Sequence, residues 1–395
     1  MNINNLKHKL IEYSREIGID KIGFTTADPF ESLKARLYQQ QALGYQSGFE
    51  EKDIEKRTEP GKLLEGAQSI IAIALAYPSK FKDKPVNTKG HRRGSFSRAS
   101  WGIDYHNILR SRLNKLEAYI REFLPEAKIK SMVDTGELSD RAVAERAGIG
   151  WSGKNTNLIT EEFGSYVYLG EMITNIPFEP DQPAEDLCAS CHLCVDHCPT
   201  EALVQGGQLN ANKCIAFLTQ TKQDIPEPYR KAIGNRLYGC DTCQQVCPYN
   251  RGMDHHFHEE MEPDPALVKP LLKPLLKISN REFKDRYGFM AGSWRGKKPI
   301  QRNAVIALGN YKEVSAVPDL IDLVESDPRP VIRSSAIWSL KQMISRCSDE
   351  SIEQAKYRLE QVVSNEENED IKKEINLLLE QIKQCKETVN WETEN

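Results

Sequence analysis

Eight of the ten cysteines in this chain fall within one window of about sixty residues. Cys188, Cys191, Cys194 and Cys198 follow a C-x2-C-x2-C-x3-C-P spacing that ends at Pro199. Cys240, Cys243 and Cys247 close the window before Pro248, and Cys214 stands between the two groups. Two-residue gaps curl the backbone, so three thiols of the first run face a common centre. The fourth, beyond a wider gap and held by a proline, points elsewhere. A segment built this way must wrap around something that thiolates can hold.

This is the spacing of bacterial ferredoxins with two [4Fe-4S] clusters, where the fourth cysteine of a run ligates the other cube. On that pattern Cys188, Cys191, Cys194 and Cys247 hold one cluster, and Cys198, Cys214, Cys240 and Cys243 the other. The second group is not a copy of the first, because Cys214 supplies from a distance what a third tight repeat would supply locally. Sets of four cysteines also hold structural zinc. Zinc ribbons, however, use paired C-x2-C knuckles, so iron–sulfur is the expected chemistry. Cys347 and Cys385 stand alone in helical patterns and read as inert thiols.

The 395 residues leave room for two or three domains. A composition of 39% hydrophobic and 28% charged residues is that of an ordinary globular protein. Cysteines spaced for metal, with no recognisable secretion signal in the first residues, point to a reducing, cytoplasmic setting. The longest apolar run, residues 70–77, is far short of a membrane span, so no membrane association is expected. A net charge of −4 excludes a dedicated, strongly basic nucleic-acid binder; any such contact needs a local patch.

Ahead of the cysteines, apolar periodicity at Ile3, Leu6, Leu10, Ile11 and Ile17 predicts an amphipathic helix over 2–17, and a second is expected over 31–43. Residues 70–77 read as a buried strand ended by Pro78. Residues 80–100 form a basic loop long enough to suggest an active-site role. A helix is expected over 104–123 and a strand over 128–134. That places Asp134 at a strand end, a favourable position for a catalytic side chain. A helix over 139–147, capped by Ser139 or Asp140, leads into a glycine-rich turn at 148–155 that lets backbone approach a bulky ligand. Residues 166–174 read as a strand. No G-x-G-x-x-G follows a strand, and no G-x-x-x-x-G-K-[ST] loop is present. Within the cysteine window, short helices are expected over 210–220 and 227–234, and residues 254–260 read as a polar linker.

Between residues 269 and 302, ten Lys or Arg face only Glu282 and Asp285. This basic block adjoins the cysteine module and is a candidate for phosphate contact. Residues 299–309 recur at 331–341, a spacing of 32 that suggests a HEAT-like helical repeat, with the acidic tract 349–370 as its solvent face. The expected organisation is an α/β (α+β) domain over 1–180, a ferredoxin-like two-cluster domain over 181–255, a basic linker over 256–298 and an all-α HEAT-like repeat domain over 299–395. Two adjacent clusters conduct electrons but make and break no other bonds. A simple carrier does not need flanks of this length, so an enzyme that feeds a second cofactor is expected.

Several motifs narrow that expectation: Arg57-Thr-Glu-Pro60 with Leu63-Leu64 and Gly66-Ala67; Ser97-Arg98; Trp101-Gly-Ile-Asp104-Tyr105-His106; and Val133-Asp134. They continue with Ala144-Glu-Arg-Ala-Gly-Ile-Gly-Trp-Ser-Gly-Lys-Asn155, Gly164-Ser165, Leu169-Gly-Glu171, Cys214-Ile-Ala-Phe-Leu-Thr219 and Tyr238-Gly-Cys-Asp-Thr-Cys-Gln244. Together they resemble the epoxyqueuosine reductase family, cobalamin-dependent enzymes of tRNA queuosine synthesis. Ala99-Ser100 departs from the pattern, where a bulkier residue is expected after Ser97-Arg98.

The resemblance implies reduction of epoxyqueuosine to queuosine at the wobble position of tRNA, the final step of queuosine biosynthesis. It implies cobalamin in the N-terminal domain, supplied with electrons through the two clusters. Asp134 would be the proton donor, its pKa raised by burial beside the corrin, with Tyr105 and His106 orienting it or relaying protons. Cobalamin contacts are expected from Arg57, Ser97, Asp134, Lys154, Asn155 and Leu158, with Phe217 and Leu218 between corrin and clusters. No D-x-H-x-x-G motif is present, so base-off cobalamin without a protein histidine on cobalt is expected. Arg141, Arg281, Lys297, Lys298 and Arg302 are the expected contacts to a tRNA anticodon stem-loop. An external low-potential donor such as a flavodoxin or ferredoxin, and a monomeric protein, complete the reading. The alternative is a reductive dehalogenase-like cobalamin and iron–sulfur enzyme acting on a small organic molecule, which would not need the basic helical tail.

Overall fold

The computed structural model describes residues 2–81 and 83–393, with side chains through residue 384; the side chain of Cys385 lies outside the described residues. The N-terminal part is built on a four-stranded antiparallel sheet in the order β1–β2–β4–β3. Here β1 is Lys21–Thr26, β2 Ser69–Ala76, β3 Ile129–Met132 and β4 Val167–Thr174. The central strand β2 is buried along its whole length, as its two apolar faces require. Ile71, Ile73 and Leu75 pack on Leu6 and Leu10 of helix α1 (Ile3–Glu16) and on Leu109 and Leu113 of α2 (Tyr105–Phe123). Ile70, Ala72 and Ala74 pack on Val143 and Ala144 of α3 (Asp140–Arg146). Strand β1 has no counterpart in the sequence expectations. It is short and half polar, and its Gly23 is needed for close approach: a Cβ there would stand 2.1 Å from Ala147 O.

Two caps bear on the site. Asp104 caps α2, its carboxylate accepting the His106 N–H at 3.1 Å. At α3 the expected cap is absent: Ser139 makes no side-chain cap bond. The Asp140 carboxylate turns back instead to accept the Asp134 N–H at 2.7 Å.

The cysteine module is a set of one-turn helices, Leu193–Asp196, Ile215–Leu218 and Thr242–Gln245. The helix expected over 210–220 is broken at Cys214 into a 3-10 turn, Ala211–Lys213, and the helix Ile215–Leu218. Ser95–Phe96 pairs in parallel with Arg236–Tyr238, and Arg98 joins Asp241 at 2.8 Å, fixing the module to the N-terminal part. The basic loop over 80–100 is therefore a brace. Its Gly94 N–H donates to Pro270 O, and Arg92 pairs with buried Glu313 at 3.0 Å.

The two sequence copies become the helices Lys297–Tyr311 and Pro330–Met343, which lie in contact: Ser339 Oγ donates to Val305 O at 2.9 Å. Val317–Ser326, Asp349–Asn365 and Glu369–Thr393 complete the repeat. The 256–298 stretch differs from the linker expected. It carries the helices Pro265–Val268, Leu272–Lys277 and Asn280–Tyr287. Leu272, Leu275, Leu276 and Phe283 share one core with Ala304, Leu308 and Leu320 of the repeat. Leucines interleaved among the lysines account for this, since each turn can bury one while exposing the other. Among the described residues no helix is long and apolar enough to cross a membrane.

Candidate active site and cluster-binding module

The eight thiols gather into two sets. Burial pushes the Cys194 and Cys247 thiols up, and the charges that add to this come from Cys188 and Cys247 in one case and from Cys188 and Cys191 in the other. Cys188 and Cys247 also share one apolar pocket with Trp151 and Ile159. Burial likewise raises Cys214, to about 11, with Cys240 and Cys198 adding to it. Cys243 is raised by burial and then by Cys240 and Cys214. Cys194 and Cys198 add to the rise at Cys243, so the thiols of the two expected sets lie close to one another. Backbone donors reach the sulfurs as well, the Ala202 N–H meeting Cys198 Sγ at 3.3 Å. Among the described residues no three His, Cys, Asp or Glu side chains converge tightly enough for a single metal ion. The polar 254–260 stretch, with His256 held between Asp254 and Glu262, is no exception.

The second centre is the turn after β3. Asp134 has its side chain 59% exposed, and its Oδ2 accepts the Tyr105 hydroxyl at 2.8 Å. His106 Nε2 faces the same oxygen at 3.3 Å, while its Nδ1 contacts Asp104 Oδ1 at 2.7 Å. The Tyr105 ring is stacked on His106 at 4.2 Å and on Tyr168 at 4.5 Å, so strand β4 fixes its direction. Partial desolvation pulls the His106 pKa down, but Asp104 and Asp134 outweigh it and raise it to about 9. For Asp134, desolvation pushes upward, yet the His106 and Tyr105 contacts prevail and hold it below the usual carboxylate range. In the protein alone the proton therefore stays on His106 and the negative charge on Asp134, whereas the raised pKa was expected of Asp134 beside a corrin. Burial, then the Asp134 charge, pushes the Tyr105 hydroxyl far up, so it remains a donor.

The other expected site residues divide. Arg57 is half-buried and forms no ion pair among the described residues; burial lowers its pKa. Burial also lowers Arg141, as do Arg36 and Arg57 nearby, and Arg141 Nη1 donates to Thr156 O at 2.7 Å. Buried Asn155 accepts the Asn157 N–H, and its own side-chain N–H has no acceptor. Ser97 packs against Gly239, whose φ of 70° and missing Cβ admit it. Lys154 Nζ donates to Ala189 O beside Cys188. The Phe217 ring meets that of Phe49 at 5.2 Å, tilted by 42°. Leu158 and Leu218 are buried, Leu158 in the apolar layer under α3.

Of the expected RNA contacts, the Arg281 side chain is 92% exposed and Lys298 partly so, while Lys297 Nζ donates to Ile278 O. Arg302 is a correction. It is 1% exposed and donates to Thr221 O, Gln223 O, Leu218 O and Asn303 Oδ1, tying the repeat to the cysteine module. With its donors spent on buried acceptors it cannot reach a phosphate. Sequence reasoning missed Asp140 and Glu171, which stand behind the Asp134 turn. A lone acid inside an otherwise apolar strand was the available signal for Glu171.

Eight cysteines gathered in one module, in a chain that also brings Asp134, His106 and Tyr105 together, mark the class of protein: an iron–sulfur oxidoreductase. Comparison with known proteins sharpens this. The family model Epoxyqueuosine reductase QueG, DUF1730 matches residues 57–135, the 4Fe-4S double cluster binding domain 187–250, and HEAT repeats 296–380. An epoxyqueuosine reductase of Bacillus anthracis is 65% identical over 387 residues, 98% of this chain and 100% of that one. The crystal structure of an epoxyqueuosine reductase with a tRNA-Tyr epoxyqueuosine-modified stem loop superposes with a TM-score of 0.92 at 59% identity, covering 97% and 100% of the two chains. A Bacillus subtilis epoxyqueuosine reductase, solved with its Asp134 catalytic loop swung out of the active site, gives 0.91 at 59% identity over 96% and 99%. The chain belongs to the epoxyqueuosine reductase family.

Proposed function

We propose that this protein reduces epoxyqueuosine to queuosine at the wobble position of tRNA, the last step of queuosine biosynthesis, with two [4Fe-4S] clusters and base-off cobalamin. The observation that carries the chemistry is the Asp134 carboxylate held between the Tyr105 hydroxyl and the His106 imidazolium. The reaction takes two electrons and two protons: both C–O bonds of the epoxide break, an alkene forms and the oxygen leaves as water. When bound, the clusters and cobalamin supply the low-potential electrons that this cleavage needs.

Cys188, Cys191, Cys194 and Cys247 would hold one cluster, and Cys198, Cys214, Cys240 and Cys243 the other. The residues around the turn fit cobalamin. An unpaired half-buried guanidinium on Arg57 and an unsatisfied buried amide on Asn155 suit a ligand rich in amide and phosphate acceptors. Ser97, Lys154 and Phe217 would complete the contacts, with Leu158 and Leu218 backing them. His106 stores the proton, Asp134 passes it to the opening oxygen, and Tyr105 keeps that carboxylate aimed. The relative with its catalytic loop swung out supports a movable Asp134 turn here. Arg281, exposed and paired with Asp285 at 3.8 Å on its own helix, and Lys298 would meet the phosphates of the stem-loop, and a flavodoxin or ferredoxin would deliver electrons.

The experiment is direct. Protein reconstituted without oxygen with iron, sulfide and cobalamin, then given a strong reductant and an epoxyqueuosine stem-loop, converts it to queuosine. An unchanged epoxide in loaded protein overturns the proposal.

A further inference from the structure

The turn that carries Asp134 is held from behind by two acids that the proton transfer does not use. Asp134 has a φ of 45°, a left-handed conformation unfavourable for a residue with a Cβ. Within the turn, the Thr135 N–H reaches back to Val133 O. While Tyr105 and His106 hold the Asp134 side chain, its backbone is held from outside the turn by the N–H bond to Asp140 Oδ2, at 2.7 Å. Asp140 is the first residue of α3.

Beside it stands Glu171 of β4, 1% exposed, in the apolar layer of Ala72, Met132, Val143 and Ile173. Among the described residues no ion pair joins either acid to a cation, and Arg57 acts on Asp140 only at longer range. Burial, then the Asp140 charge, pushes Glu171 far up, so it is neutral. Burial, then the Asp134 charge, raises Asp140 to about 6, leaving it ionised at neutral pH. Asp140 therefore carries its charge beside a neutral acid, with a charged oxygen aimed at the Asp134 N–H. Placing two acids in an apolar layer costs stability and adds no packing that leucine would not give. Their placement makes sense as a fixed acceptor for the turn.

We propose that Asp140 is the positioning residue that holds the Asp134 turn inward against Tyr105 and His106. This rests on reading Asp134 as the group that delivers the proton.

Single-turnover rates on the modified stem-loop test it, with iron content and stem-loop affinity measured alongside. Asp140→Ala removes the acceptor and lowers kcat about a hundredfold, the scale of an ångström-sized misplacement, while KM and iron content hold. Asp140→Asn keeps an acceptor oxygen and restores most of the rate. Adding Asp140→Ala to Asp134→Ala slows the enzyme no further, because both act through one group. Where the alanine variant does not accumulate, Asp140→Leu suits the apolar layer and carries the same expectation. A wild-type kcat in Asp140→Ala or Asp140→Leu overturns the positioning role, as does an Asp140→Asn rate no better than alanine's. Normal turnover by Asp134→Ala would instead sink the proton-donor reading.

Discussion

The cysteine module and the Asp134 turn both crowd groups of like charge together, and they balance that charge differently. In the module, burial raises Cys214 and Cys243, and their neighbours raise them further. Those thiols therefore keep their protons until bound metal takes their place and balances the thiolate charge. Around the turn, Asp104 and Asp134 share the His106 imidazolium, and Asp140 carries its charge beside a neutral Glu171. One region is completed by a cofactor and the other by protons already in the chain. Removing iron should therefore disable the first region and spare the second, whereas a change of pH should act on the second.

The largest effect that separates them is Cys243→Ser. Iron falls from about eight to about four per chain, and turnover is lost, while the ionisation of the Asp134 centre is unchanged. Asp134→Asn does the reverse, keeping full iron and lowering kcat about a thousandfold, as loss of a positioned proton donor predicts. Third in size is a contrast between two arginines. Arg302→Ala strands several buried carbonyls, costs about 3 kcal/mol and lowers the Tm. Arg281→Glu leaves the Tm alone and weakens stem-loop binding, an effect that fades as salt rises. The mildest is the pH response. The folded protein raises the His106 pKa above its ordinary 6.5, so this ion pair stabilises the fold fully below that pH and is lost as pH rises through about 9. Single-turnover rates fall across the same limb, and His106→Gln removes it.

What the sequence made legible was chemistry written locally. Cysteine spacing alone groups the thiols, since ligand direction follows from gaps of two or three residues. The wholly apolar β2 and the helical periods of α1 and α2 are equally local. The misreadings come from tertiary direction. Arg302 belongs to a basic block by composition, but it lies on a helix buried from Pro299 to Gly309, and that position turns its guanidinium inward onto carbonyls. The apolar residues flanking it at helical spacing were the clue. Tyr105 and His106 were expected beside Asp134, but the sequence did not show that their contacts outweigh burial in setting its pKa: His106 lies twenty-eight positions away and arrives through α2. Asp140 was read as a cap because helix starts favour acids, and only the fold shows its oxygen turned toward the preceding strand.

The most direct test of the central claim compares wild type with Asp134→Asn, both anaerobically loaded to the same iron and cobalamin content. Each is mixed with epoxyqueuosine stem-loop and excess reductant, and the nucleosides are resolved by mass. The account predicts that wild type yields the nucleoside lacking one oxygen while the variant returns the epoxide intact. Equal conversion by the two proteins would contradict it.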